Sequence, residues 1–236
     1  MNMIFKIAKT ELQTLFYSPV AWLILIVFTF QASILFTGTF GMSVRSQALE
    51  YEVGNLTLFT FGGDYGLFTH IQQYLYLYIP LLTMGLMSRE LSSGSIKLLY
   101  SSPVTNKEIV LGKYFAMLVY GLVLIGILAI YVLYSACTIK AFDFTVALSG
   151  LLGLYLLICA YASIGLFMSS LTSYQVVSAM GTLAILAALS LVRGMWQDIE
   201  FVRDITYWLS INGRADEFVN GLICSEDILY FLIVIA

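Results

Sequence analysis

Side chains able to do chemistry are few in this sequence and lie far apart. The only histidine is His70, and the cysteines are Cys137, Cys159 and Cys224. Two of these cysteines lie in apolar runs, where a small buried side chain is the simpler interpretation, and the third stands alone in a polar stretch. Their spacing fits neither a disulfide framework nor a zinc site. We therefore predict no catalytic residue and no metal or cofactor site in this chain.

The acidic pairs and the one glycine-lysine pair do not form a catalytic or nucleotide-binding motif either. Asp198 with Glu200, and Asp216 with Glu217, are interpreted as solvated loop charges rather than acid/base pairs. The Gly-Lys pair at 112–113 is followed by a tyrosine and has no glycine-rich stretch before it, unlike a phosphate-binding loop. We expect that the chain is not an enzyme and does not itself hydrolyse ATP.

The composition is that of a membrane protein. Of 236 residues, 60% are hydrophobic and 11% are charged, and the mean hydropathy is +0.92. Soluble domains have about half apolar and about a quarter charged residues, so a soluble enzyme is excluded. A nucleic-acid-binding domain is excluded as well, because the net charge of −3 offers no basic patch.

Uncharged runs predict an all-α integral membrane protein with six transmembrane helices. A helix needs roughly 20 apolar residues to cross a bilayer. The longest run is long enough for two helices, with a turn at the polar cluster 169–175. The final run is too short to span, and we expect the sequence to stop inside a sixth helix. The expected spans lie within 20–40, 71–88, 114–139, the two halves of 144–192, and 228–236.

Residues 1–19 predict an amphipathic helix at the membrane interface rather than a secretory signal. Charged residues occur within it, and no cleavage site follows. Lys6, Lys9 and Gln13 fall on one side of the helix, opposite an apolar face. Ser18-Pro19 ends the helix before the first span. The expected apolar face consists of Ile4, Phe5, Ala8, Leu12, Leu15 and Phe16.

The loop charges predict a cytoplasmic N-terminus. The side that holds the N-terminus and the loop 89–113 carries six basic and three acidic residues, whereas the other side carries five basic and eleven acidic residues. Positive residues stay on the cytoplasmic side of a membrane. We therefore expect a multi-pass protein of the inner membrane with an acidic outer face.

The expected spans contain no ionisable side chain at depth, and His70 lies at the outer mouth of the second span. Proton- and ion-coupled carriers normally keep an ionisable residue at membrane depth. The pattern argues against a proton-driven carrier, so a partner must supply the energy for any uphill transport.

The loop 89–113 contains the clearest local signals. Gly94, within the turn expected at Ser92–Ser95, can adopt a positive φ, and a short helix is expected over 96–100. Thr105 and Glu108 have the spacing of a capping box for the next helix. The loop is either a docking element for a soluble subunit or an ordinary connector with normal caps, and the residues leave both interpretations open.

Several short motifs along most of the chain together carry a resemblance to a known family. They are Glu11, Leu12 and Phe16–Pro19; Arg89, Glu90, Gly94, Ile96, Leu99, Pro103, Val104 and Ile109–Lys113; Ile164–Phe167 and Ser169–Thr172; and Phe218–Tyr230. With the interfacial helix and six spans, this ensemble resembles the permeases of type-2 ABC (ABC-2) transporters. It is most similar to their gliding-motility-associated, GldF-like branch, as a single permease domain over 1–236.

The resemblance implies that the loop is a coupling helix that contacts an ATPase. It also implies two permease chains, as a homodimer or a pair of paralogues, and two nucleotide-binding subunits. ATP and Mg²⁺ would then be bound by the partner, and membrane lipids would surround the permease, with no nucleic acid. The implied coupling residues are Arg89, Glu90, Gly94, Ile96, Leu99, Pro103 and Lys107.

The region 193–227 predicts amphipathic helices at the outer interface. The Asn-Gly pair at 212–213 is expected to break them, and the resemblance implies that they are short and re-entrant. A gate that faces lipid or a partner and a simple outer cap are both possible interpretations. The apolar residues at helical spacing are Trp196, Ile199, Val202, Ile205 and Leu209.

The sequence is compatible with three functions. The first is the permease of an ATP-driven transporter, for which a hydrophobic or amphipathic substrate is favoured because the spans lack charge. The second is a non-transporting scaffold that anchors a motility or envelope machine. The third is an ion-coupled carrier, which would transport without ATP.

Overall fold

The computed structural model describes residues 3–48, 55–63, 65–97, 104–139, 142–192 and 211–235. Ten helices have both ends within these ranges, and these ranges contain no strand. The helices are α1 (Met3–Tyr17), α2 (Pro19–Ala48), α3 (Leu56–Phe61), α4 (Leu67–Thr83), α5 (Ser88–Ser93), α6 (Asn106–Thr138), α7 (Phe144–Leu171), α8 (Gln175–Val192), α9 (Ile211–Val219) and α10 (Ser225–Ile235).

Three helices are long and apolar enough to cross a membrane. They are α6, α7 and the stretch Pro19–Gln47 of α2. At a rise of 1.5 Å per residue, the 30 residues of α2 extend over about 45 Å. Helix α4 has 17 residues with Pro80 inside it, and the apolar helices α8 and α10 have 18 and 11 residues. The structure thus has a helix at every predicted run, while the count of six spans stays a prediction.

The predicted turn between the fourth and fifth runs is confirmed. Helix α7 ends at Leu171 and α8 begins at Gln175. Between them, Thr172 Oγ1 accepts a hydrogen bond from the backbone N–H of Tyr174 at 3.2 Å. A short polar stretch therefore reverses the chain with its own side chain as a local partner.

Helix α7 lies at the centre of the fold and packs against α3, α4, α6, α8, α9 and α10. Glycines allow its closest approaches. A methyl group on Gly165 would lie 2.2 Å from Thr83 Oγ1, and one on Gly153 would lie 2.3 Å from Phe218 Cβ. Small residues at these positions let helices meet closely within the chain.

Helix α1 packs along the first turns of α6. Gly112 permits the contact, because a methyl group there would lie 2.7 Å from Ile7 Cβ. Phe5, from the expected apolar face, is exposed on the surface of the protein, whereas the acidic Glu11 is buried. Glu11 is buried against the bundle because Lys113 forms an ion pair with it there.

Helix α9 packs against α4, α7 and α8, and α10 packs against α7. The expected break at Asn212 and Gly213 is wrong, since both residues lie inside α9. Tyr161 donates to Asn212 Oδ1 at 2.5 Å, and Gln72 donates to the Asn212 carbonyl at 2.9 Å. These buried partners hold the start of α9 within the bundle. The apolar pattern expected over 196–209 lies outside the described residues.

Candidate coupling site

The loop that follows α4 begins and ends with caps that the sequence predicts. Gly94 adopts a φ of +71° and ends α5. Ser92 and Ser93, which were expected in the turn, are instead the last residues of α5. On the far side, Thr105 Oγ1 accepts from the N–H of Glu108, and Glu108 accepts from the N–H of Thr105 at 2.9 Å. The predicted capping box is therefore confirmed.

A buried lysine joins this loop to the rest of the molecule. Lys113 Nζ donates to Glu11 Oε1 at 2.5 Å and to Glu90 Oε1 at 2.7 Å, and its side chain has no exposed surface. Arg89 Nη2 adds a longer ion pair with Glu11, at 3.8 Å. These four residues, the Lys113 cluster, connect α1, α5 and the base of α6.

The Lys113 cluster resists separation of its helices. Glu11 and Glu90 have only 10% and 16% of their side-chain surface exposed. Removing a charge from water costs several kcal/mol, which only close and well-formed pairing offsets. Moving α5 away from α1 and α6 would leave buried charges without partners. Separating these three elements is therefore energetically costly.

One hydroxyl group supplies hydrogen bonds to the backbone between α4 and α5, where the helix is interrupted. Ser169 Oγ, on α7, donates to the Met84 carbonyl at 3.0 Å. It accepts from the backbone N–H groups of Met87 and Ser88 at 3.0 and 3.1 Å. Buried backbone groups need such partners where a helix is interrupted. The serine thereby attaches the start of the loop to the central helix.

The structure brings only some of the predicted coupling residues together. Arg89 and Glu90 belong to the Lys113 cluster, and Ile96 is buried in the core. Lys107 is exposed on the first turn of α6 and contributes to no described ion pair. Two predicted residues lie outside the described residues: Leu99 and Pro103.

Sequence reasoning assigned no coupling role to the residues that hold the loop in place. Glu11 and Lys113 entered as parts of a family motif and of the loop charge count, Lys113 also in the Gly-Lys pair, and Ser169 as a motif residue and part of a polar turn. Glu11 stands in a helix with two lysines, and nothing near it in the chain marks it as a buried acid. Its partner lies 102 positions further along the chain, beyond the reach of any spacing rule.

A second polar region surrounds α9. Gln72 Nε2 donates to Asp216 Oδ1 at 2.9 Å, and Asp216 is half-buried within α9 rather than in a loop. Arg214 Nη1 donates to Asp227 Oδ1 at 2.5 Å, and these two residues are only 2% and 1% exposed. The sequence offered no sign of this buried ion pair, because no motif or spacing rule connects Arg214 with Asp227.

Asp143 and Cys224 lie outside the spans, and the pKa values of both are shifted. The Thr145 backbone N–H donates to Asp143 and lowers the pKa of that carboxyl below its usual value, with a smaller contribution from Asn55. The pKa of the Cys224 thiol is raised, because Glu217 accepts its hydrogen bond and nearby carboxylates disfavour the thiolate. Asp143 therefore stays ionised as the N-cap of α7.

Comparison with known proteins gives one family. The model described as ABC-2 family transporter protein matches residues 5–199, which include α1 from its third residue through α8 and all of the Lys113 cluster. No curated protein matches the chain.

Proposed function

We propose that this chain, which belongs to the ABC-2 family of transporter proteins, is the permease component of an ATP-binding-cassette transporter. The family match over 5–199 is the observation that supports this function. Permeases of this family normally work with a nucleotide-binding ATPase partner. The partner hydrolyses ATP, and the present chain supplies the membrane-crossing helices, among them α2, α6 and α7.

In this proposal, residues 89–107 form the element that receives the movement of the ATPase. The Lys113 cluster supports the assignment, because it joins the start of this element to α1 and α6 through buried charges. Ser169 supports it as well, since it attaches the same segment to α7. Movement of the loop would then be transmitted to α1, α6 and α7 rather than lost in local bending.

The finer features of the proposal follow from charge and composition. The basic excess on the side of the loop favours a cytoplasmic N-terminus in an inner membrane with six spans. The uncharged spans favour a hydrophobic or amphipathic substrate. We further propose a homodimer of permeases of the GldF-like branch, in which the two chains alternate the side that is open.

Charge reversal at an exposed residue of the loop tests the coupling role. Lys97 lies in the loop and Lys9 lies on α1, and both are exposed. We expect Lys97→Glu to abolish most of the ATPase stimulation by substrate in a reconstituted complex, whereas the matched variant Lys9→Glu retains it. A complex with Lys97→Glu that assembles and still couples hydrolysis to transport would show that the loop is not the lever.

Substrate movement in vesicles tests the permease function itself. The complex with its ATPase should move substrate in an ATP-dependent manner, and Ile96→Pro should stop this movement while the protein still inserts into membranes. Co-purification of an ATPase without any substrate movement would contradict the proposal and support a scaffold.

A further inference from the structure

Three potential metal-binding side chains converge where α9 ends and α10 begins. Glu217 comes from α9, Cys224 from the connection, and Asp227 from the first turn of α10. One ligand atom from each lies within 4.8 Å of the others. The same three side chains line one cavity of roughly 470 Å³. We refer to these three residues as the acid–thiol cluster.

Asp227 points to a ligand because only part of its carboxylate is used. Its side chain is 2% exposed, and Oδ1 accepts from Arg214 at 2.5 Å. Oδ2 is buried and has no N–H or hydroxyl donor among the described residues, and burial together with the neighbouring Glu217 carboxyl raises the pKa of Asp227. A buried carboxylate oxygen without a donor is costly, and a cation in the cavity that it lines would satisfy it.

Arg214 is placed to orient this carboxylate. Its guanidinium group lies 5.0 Å from the centre of the Tyr230 ring, and it is almost fully buried. Carboxylates that bind metals are commonly held by a second hydrogen bond of this kind. The arginine occupies Oδ1 and leaves Oδ2 available to a ligand.

The donor atoms suit a thiophilic divalent cation. One thiolate with two carboxylates is a ligand set that Zn²⁺ accepts, with water as a fourth ligand. A tetrahedral ion with bonds of about 2.0–2.3 Å places its donors about 3.3–3.8 Å apart, so the cluster needs only a modest contraction. Three anionic ligands beside the Arg214 cation leave two negative charges, which a divalent ion neutralises.

We propose that Glu217, Cys224 and Asp227 form a binding site for a divalent cation of the zinc class. The ion would join the end of α9 to the start of α10 and fix the hairpin that these helices form beside α7. This site does not depend on the proposed transport function, and a permease without it would remain a permease.

Protection of a cysteine in the unaltered protein is the first test. Cys224 and Cys137 are both exposed, and Cys159 is buried. The full chain is purified in detergent, stripped with a chelator, and alkylated with or without added Zn²⁺. We expect Zn²⁺ to slow the alkylation of Cys224 at least about tenfold, because a bound thiolate is not a free nucleophile, and to leave Cys137 unchanged.

Magnesium provides the control for nonspecific charge screening. As a hard cation it prefers oxygen ligands and should give no protection. Equal alkylation rates of Cys224 with and without Zn²⁺ would overturn the proposal.

Substitution of the ligands is the second test. Co²⁺ bound to a thiolate gives a charge-transfer absorption band, which we expect in the unaltered protein and in Cys137→Ser but not in Cys224→Ser. Glu217→Gln should weaken Zn²⁺ binding at least about tenfold. A band that persists in Cys224→Ser refutes the site. Size-exclusion profiles show whether each variant is folded, and the alkylation test needs no variant.

Discussion

Replacing Lys113 by methionine should destabilise the protein far more than replacing an exposed lysine on the same helix. Methionine keeps the length of the side chain but removes the ammonium group that Glu11 and Glu90 share at 2.5 and 2.7 Å. Breaking a buried ion pair by removing one partner costs about 3–5 kcal/mol, because the other charge stays buried. We expect a loss in this range in the free energy of unfolding.

Lys107→Met is the matched control for this measurement. Lys107 lies on the first turn of α6 and is exposed, so its replacement should change the free energy of unfolding by no more than about 0.5 kcal/mol. Equilibrium unfolding in detergent micelles, followed by tryptophan fluorescence, compares the two variants.

A combined variant separates loss of pairing from loss of packing. Lys113→Met together with Glu11→Gln and Glu90→Gln removes all three charges, so no unpaired buried charge remains. Replacing a whole buried ion pair is often nearly neutral, and we expect this variant to recover most of the stability. If Lys113→Met were as stable as Lys107→Met, or if the combined variant were the least stable, the role given to the Lys113 cluster would be wrong.

Two further predictions concern helix contacts at the end of the molecule that contains the Lys113 cluster. Ser169→Ala leaves two buried N–H groups without an acceptor, at about 1–3 kcal/mol each, so amide hydrogen exchange after α4 should accelerate. Ser170→Ala should not change this exchange, because the Ser170 hydroxyl bonds only within its own helix. Unchanged exchange in both variants would contradict the role of Ser169. Gly112→Ala places a methyl group against Ile7 and should increase protease access to α1. Gly126→Ala, on the same helix, places its methyl group in open space and should leave protease access unchanged. Equal cleavage of the two variants would exclude close packing of α1 on α6.

Local signals in the sequence predicted local structure well. The capping box at Thr105, the left-handed Gly94 and the turn after Leu171 depend on residues within a few positions of each other. Such features need no tertiary partner, because the side chain and the backbone that it caps are adjacent. The helices at the uncharged runs are predictable as well, since a long apolar run can cross a membrane as a helix whose backbone hydrogen bonds are all internal.

The polar interior was not predictable in this way. Asp216 looked like a solvated charge because no motif in the sequence assigns it a partner, yet Gln72 donates to it from α4. Cys224 looked isolated because Glu217 and Asp227 do not form a recognised zinc spacing with it. The helix reversal between α9 and α10 is what brings these side chains within 4.8 Å of each other.

The sequence by itself determined a helical membrane chain, the positions of its apolar helices and the local caps of the coupling loop. Only the tertiary structure decided that Glu11, Glu90 and Lys113 meet, and that Arg214 pairs with Asp227. The physical reason is that apolar burial and capping are set by neighbours in the chain. The partner of a buried charge is set instead by which helices pack together, and packing is a property of the whole fold.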